Sequence, residues 1–173
     1  MKTLYVLRHA KAERDAPSGE DYDRPLAARG RTDAARLGSL WQIHPDLIVT
    51  SSAKRTLETV EQLTARWPKP VAIQAEDKLY LAPAARLMET VRTFPDTAHS
   101  AILVGHNPGI GDLAAQLAHQ TPGAARERIR TQYPTCALAT FEIAADSWSL
   151  VSPGLARLLA FAAPKDLANG TGA

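Results

Sequence analysis

The chain has 173 residues, a length that favours one domain with a substantial buried core. It is 45% hydrophobic and 22% charged with a net charge of +2, a balance too mild to argue for nucleic acid. No run approaches the roughly 20 apolar residues of a membrane span, and the single cysteine, Cys136, excludes an internal disulfide.

The N-terminal MKTLYVLRHAK is a short apolar run cut off by charge, with no small-residue cleavage site after it. It reads as a first strand, TLYVL (3–7), and not as a signal peptide. Ala34, Leu37, Gly38 and Trp41 then recur at helical spacing. DLIVT (46–50) reads as a second buried strand, followed by a helical stripe of Thr56, Val60, Leu63 and Trp67 that ends at Pro68. VAIQA (71–75) reads as a third buried strand, and Leu87, Val91 and Phe94 as a helix stopped by Pro95. AILV (101–104) is a fourth buried strand, and Ile110, Leu113, Ala114 and Leu117 mark a further helix. HQTPGAARERIRTQYP (119–134) is the longest irregular stretch. CALATFEI and WSLV flank AADS (144–147) as an antiparallel hairpin, and GLARLLAFA (154–162) carries Leu155, Leu158, Leu159 and Ala162 on one face of a short final helix.

This alternation predicts an α/β fold, a three-layer sandwich with a mainly parallel central sheet flanked by helices and an antiparallel hairpin near the C-terminus. A single domain over 1–165 and a flexible tail over 166–173, including NGTGA, are expected. Cys136 is expected as a small buried residue in a strand, because CALATFE lacks the arginine that a cysteine-based phosphatase needs. Nothing ties the chain to an oxidising compartment, so a cytoplasmic location is expected.

RHAK follows the first strand, TSSAKRTLET (50–59) the second and GHNPGIGD (105–112) the fourth. Ligands of open α/β sheets bind at the carboxyl ends of strands, and the fold would bring Arg8, His9, Arg55 and His106 together there. Guanidinium groups stay charged and repel a metal cation, and no cysteine or carboxylate company stands at ligand spacing, so no metal is expected. Arginine forks match phosphate oxygens in pairs. GHNPG adds a helix N-terminus with Asn107 as a candidate cap and Pro108 in the first turn. Two imidazoles then divide the work. His9, held rigidly after a strand, is the candidate nucleophile toward phosphorus, and a protonated His106 is the candidate clamp on the phosphoryl oxygens. An imidazole nucleophile of ordinary basicity predicts a rate that falls on the acid side between about pH 8 and 5.

LRHAKAE resembles the RHG signature of the histidine phosphatase superfamily (phosphoglycerate mutase-like). VTSSAKRTLETV and LVGHNPGI resemble its second and third blocks in order and spacing. RPLAARG and YLAPAARLMETV look like those of the small SixA-type phosphohistidine phosphatases, and the resemblance runs over residues 2–165. It implies a covalent phosphohistidine intermediate on His9, a phosphate site completed by Arg8, Arg55 and His106, and no metal or organic cofactor. Ala10 stands where many members have Gly, a variation also seen among SixA-like members.

The remaining candidates are weaker. Arg24 either faces the phosphate or pairs with Asp21 or Asp23. Ser51 either caps the second helix, with Ser52, or contacts phosphate. Lys11 either touches substrate or lies in solvent. Glu76 and Asp77 are candidate general acids in a stretch, AEDKLYLAPAARL (75–87), where larger members carry an insertion, and Tyr80 is another. A site without a carboxylic acid suits P–N cleavage, because a protonated imidazole leaves more easily than an alkoxide. The leading reading is a phosphohistidine phosphatase acting on a protein. A phosphatase for a small phosphomonoester and a non-catalytic phosphate-recognition module are the alternatives. A mutase would need a lid, and none is evident. Neither nucleic acid nor membrane is an expected partner, and a monomer or small homo-oligomer is expected. Arg126, Arg128 and Arg130 form either a solvated face or a basic rim for a phosphoprotein.

Overall fold

The computed structural model describes residues 1–41 and 43–168. The alternation of side chains along each strand divides the apolar core in two. In β1 (Lys2–Arg8), Leu4 and Val6 face one side of the sheet and Leu7 faces the other. The same holds for β2 (Leu47–Ser51) and β4 (Ser100–Gly105), where Val49 and Leu103 join Leu4, and Ile48 and Ile102 join Leu7. The first face is covered by α3 (Ala84–Arg92), α4 (Gly109–Leu117) and Ile129 of α5 (Ala124–Thr131). The second is covered by α1 (Ala28–Leu40) and α2 (Lys54–Thr64). The result is the expected three-layer α/β sandwich.

With β3 (Ala72–Glu76), β5 (Leu138–Ile143) and β6 (Ala156–Ala162), the described residues form a six-stranded sheet of order β3-β2-β4-β1-β5-β6. The pairs β2–β3, β2–β4 and β1–β4 are parallel, and β1–β5 and β5–β6 antiparallel.

Four details depart from the sequence reading. Residues 72–75 of β3 are exposed, not buried, because this edge strand packs chiefly beside β2 and adds no residue to the core on either face of the sheet. Residues 156–162 form strand β6 where a helix is expected. Its leucines satisfy helical spacing, but pairing with β5 imposes a two-residue period that buries Ala156 and Leu158 and exposes Arg157 and Leu159. The hairpin partner of β5 is therefore β6, while WSLV forms a 3-10 turn, Trp148–Leu150, whose Trp148 is fully buried and donates its Nε1–H to Ala98 O at 2.8 Å. The supposedly irregular 119–134 contains α5, which buries only Ile129. Beyond residue 165 the backbone continues in a short helix, α6 (Pro164–Ala168), and the rest of the expected tail, 169–173, lies outside the described residues.

Gly38 shows how closely α1 and α2 pack. A Cβ added there would stand 1.9 Å from the backbone oxygen of Leu63. Alanine gains up to about 1 kcal/mol of helix propensity over glycine, but overpacking against a backbone atom costs about 1–3 kcal/mol. Gly38→Ala should therefore lower the urea midpoint with an unchanged m-value. An unchanged or raised midpoint would mean that the helices do not approach this closely.

Candidate active site

The parallel register aligns three strand ends. Arg8 stands opposite Gly105 across β1–β4, and Thr50 opposite Val104 across β2–β4. His9, Ser51 and His106 therefore emerge side by side, and Arg55 joins them from the first turn of α2. Arg8, His9, Arg55 and His106 all line one open depression of about 360 Å³, together with Lys11, Asp21, Arg24 and Asn107.

His9 is held by its backbone and its ring. Its N–H donates to Gly105 O at 3.1 Å, its carbonyl accepts from Cys136 N at 3.0 Å, and the next residue, Ala10, donates its N–H to Thr59 Oγ1 at 3.0 Å. The ring Nδ1 lies 2.7 Å from Ala10 O. A carbonyl oxygen only accepts, so Nδ1 carries the proton and Nε2 keeps its lone pair. This is the tautomer that a nucleophilic imidazole requires.

His106 lies with its ring centroid 5.2 Å from that of His9. Its Nε2 is 2.9 Å from Ser51 Oγ, while its Nδ1 is buried without a partner. A neutral ring that accepts from Ser51 at Nε2 carries its proton on Nδ1, the atom left over for a ligand. Arg8 donates from Nη1 to Tyr133 O at 2.9 Å, and its Nε is also buried without a partner. Leaving a buried donor unsatisfied costs about 1–3 kcal/mol, so Arg8 Nε marks a place prepared for an acceptor, and His106 Nδ1 joins it in the tautomer that accepts from Ser51. Asn107 lines the depression, yet it is not the cap of α4. Pro108 is the N-cap and makes no side-chain bond, because Asn107 Nδ2 is drawn 2.9 Å from Tyr133 O.

Arg55, 3% exposed, does not pair with Glu58 on its own helix. It donates from Nη1 to Asp21 O at 2.6 Å and from Nη2 to Asp21 Oδ2 at 3.0 Å. Arg24 both lines the depression and donates to Asp21 Oδ1 at 2.6 Å, and the Tyr80 hydroxyl donates to Asp21 Oδ2 at 2.6 Å. The Tyr80 hydroxyl and the Arg24 guanidinium, with Arg55, hold the Asp21 carboxyl well below the usual carboxylate range. Asp21 is thus an ionised counter-charge in the free protein. DYDRPL contained its signal, although the sequence offered Asp21 only as a partner for Arg24.

The candidate acids stand elsewhere. Glu76 pairs with Lys78 at 2.7 Å, and Asp77 accepts from Ser52 and from Tyr22. Neither lines the depression. Ser51 reaches the site through His106 and does not line it. Cys136 is buried as expected, but in a left-handed turn (φ 60°) before β5, not in the strand, and burial pushes its thiol up to about 12.

One expectation changes. Burial lowers His9 from the ordinary 6.5 to about 4, with Arg55, Arg8 and Arg24 adding to the effect. Burial, then His9 and Arg55, lower His106 to about 3. Both rings are neutral at pH 7 in the free protein, so His106 is not a standing cation. An incoming phosphoryl dianion would raise its basicity, since an adjacent negative charge favours the protonated ring. The acid limb of activity moves accordingly. A nucleophilic His9 would react when neutral, and its lowered pKa keeps it neutral until the pH approaches 4. After correction for the phosphate's own ionisation, kcat/KM should stay level from pH 8 to 5 and fall near pH 4; a fall centred near 6.5 would contradict the described burial. Stability has the same sign. The unfolded chain binds protons on these rings below about pH 6.5 and the folded chain does not. The urea midpoint should therefore drop as the pH falls from 6.5 toward 4, and replacing both histidines by Gln should flatten that drop.

Residues 4–81 match the model of the histidine phosphatase superfamily (branch 1). A Mycobacterium tuberculosis protein is 32% identical over 165 residues, covering 92% of this chain and 100% of the relative. A chloroplastic Arabidopsis thaliana protein is 31% identical over 183 residues, covering 94% of this chain and 78% of the relative. Among solved structures, a SixA protein of Agrobacterium tumefaciens, named as a candidate phosphohistidine phosphatase, superposes with a TM-score of 0.78 at 26% identity, over 94% of this chain and 98% of that one. The protein histidine phosphatase SixA in complex with tungstate superposes with a TM-score of 0.71 at 20% identity, over 95% and 99%. With a matching family model, relatives above 30% identity over more than nine-tenths of this chain, and two arginines and two histidines gathered at the strand ends, the chain belongs to the histidine phosphatase superfamily and is of its SixA type.

Proposed function

We propose that this phosphatase removes the phosphoryl group from phosphohistidine on a protein, by way of a phosphohistidine formed on its own His9. The observation that carries the reading is the pairing of a free Nε2 lone pair on His9 with two buried nitrogens left without a partner, Arg8 Nε and His106 Nδ1, in one depression. In the first step the Nε2 lone pair forms a bond to phosphorus. The P–N bond to the substrate imidazole breaks, and its electron pair returns to that nitrogen. The leaving imidazole departs neutral when its distal nitrogen is already protonated, so no enzyme acid has to deliver a proton. This fits a depression whose one carboxylate, Asp21, is held ionised by Tyr80 and Arg24. In the second step water attacks phosphorus, the Nε2–P bond breaks, and inorganic phosphate leaves. Arg8, Arg55 and His106 serve both steps by donating to oxygens whose charge rises in the transition state. Arg55 must turn from Asp21 toward the phosphoryl group or share it with both. The reading also draws on the SixA neighbours and on the openness of the depression, which leaves room for a side chain presented on a folded protein.

Phosphate release from a histidine-phosphorylated protein and from p-nitrophenyl phosphate, with and without chelator, tests the reading. Rapid release from the phosphoprotein, unaffected by chelator, is expected. His9→Ala should abolish it, along with a radiolabelled phosphoenzyme that is stable in alkali and labile in acid, as a P–N bond is. Arg55→Ala should lower kcat/KM by about 10²–10³-fold, the scale of one lost transition-state donor. Release from the ester alone would make the protein a phosphomonoester phosphatase, and release from neither would leave phosphate recognition as its role.

A further inference from the structure

A second concavity opens beside the catalytic depression. Its volume is about 350 Å³, and it shares Lys11 and Thr135 with that depression, so the two adjoin. Phe161, Pro134 and Pro164 supply apolar lining. Arg128 lies over Phe161, its guanidinium carbon 5.1 Å from the ring centroid, and bonds Asp166 at 2.7 Å. Arg29 approaches Asp33 at 3.6 Å. These two carboxylates are thereby engaged with two of the groove's four cations. The other two, Lys11 and Lys165, are exposed and make no ion pair among the described residues. Of the three arginines in 126–130, only Arg128 faces this groove, since Arg130 pairs with Glu127 and Arg126 approaches His119.

We infer that this groove is a docking subsite for an acidic segment of the substrate protein, next to its phosphohistidine. The inference rests on the proposed protein substrate. A phosphorylated imidazole is tethered to polypeptide, so the residues around it must lie on the surface that borders the catalytic depression. Among the described residues, the groove is a bordering surface that has both shape and cations outside any ion pair. Lys11 and Lys165 attract carboxylates, and Phe161 with its proline neighbours offers an apolar side chain a place to rest. Charge complementarity of this kind speeds encounter and sets preference, and it weakens with salt.

Binding can be read without turnover, which separates this inference from the reading it rests on. Fluorescence anisotropy of the full-length protein would be measured with three labelled probes: a short peptide with glutamates around an unphosphorylated histidine, the same peptide with glutamines, and a single-stranded DNA of equal length. The parent should bind the glutamate peptide roughly tenfold more tightly than the glutamine peptide at low salt, with the difference shrinking as salt rises. Lys165→Glu, at an exposed site, should remove most of that preference, and Arg128→Glu should do the same. Turnover of p-nitrophenyl phosphate should be unchanged in Lys165→Glu. Equal binding of the two peptides by the parent, an unaltered preference in both variants, or DNA binding as tight as the glutamate peptide would overturn the inference. Failure of the phosphohistidine reading would show instead in the phosphate-release assay.

Discussion

The carbonyl oxygen of Ala10 decides which nitrogen of His9 keeps a free lone pair. It accepts from Nδ1, and the lone pair of Nε2 is thereby turned outward. The bond is useful only if the loop carrying Ala10 stays still, and much of the surrounding structure serves that end. Gly105 of β4, Cys136 before β5 and Thr59 of α2 each bond the backbone of residues 9–10. A central strand, its two neighbours in the sheet and a helix on one face are thus all fastened at one point. Rigidity at a reacting atom matters because a nucleophile held in line spends no orientational entropy at the moment of attack.

Fastening the ring also buries it among arginines, and this sets the electrostatic character of the site. Burial first, and then the neighbouring guanidinium groups, disfavour positive charge on the two imidazoles, so they stay neutral and the site waits for an anion. Asp21 lessens that imbalance in the free protein. By holding Arg55 and Arg24 it keeps both side chains at the mouth of the depression. The arrangement trades some affinity for order, since a phosphoryl group has to compete with a carboxylate for Arg55.

Much of this was legible in the sequence because the chemistry follows strands directly. RHAK, SSAKR and GHN come just after apolar runs, and a parallel sheet needs no further information to bring such ends together. The less legible parts depend on partners distant in sequence. GLARLLAFA satisfies a helical pattern and becomes β6 only because β5 offers a free edge. VAIQA looks buried until its place at the sheet edge is known. The carbonyl of Tyr133, which holds both Arg8 and Asn107, leaves no mark in the sequence, because any residue has a carbonyl. The neutrality of His106 likewise arises from burial and from charges contributed by separate segments, which spacing cannot convey.

The turn at Cys136 carries a consequence of another kind. Its amide supports the loop of His9 while its side chain is fully enclosed, with a thiol that remains protonated at any ordinary pH. Oxidants act on accessible thiolates. Phosphatases built on a cysteine nucleophile share that vulnerability, and peroxide silences them. In the proposed mechanism the reacting atom is a nitrogen, and the one sulfhydryl in the chain is buried. Dephosphorylation by this protein should accordingly continue through oxidative stress that stops thiol-dependent enzymes.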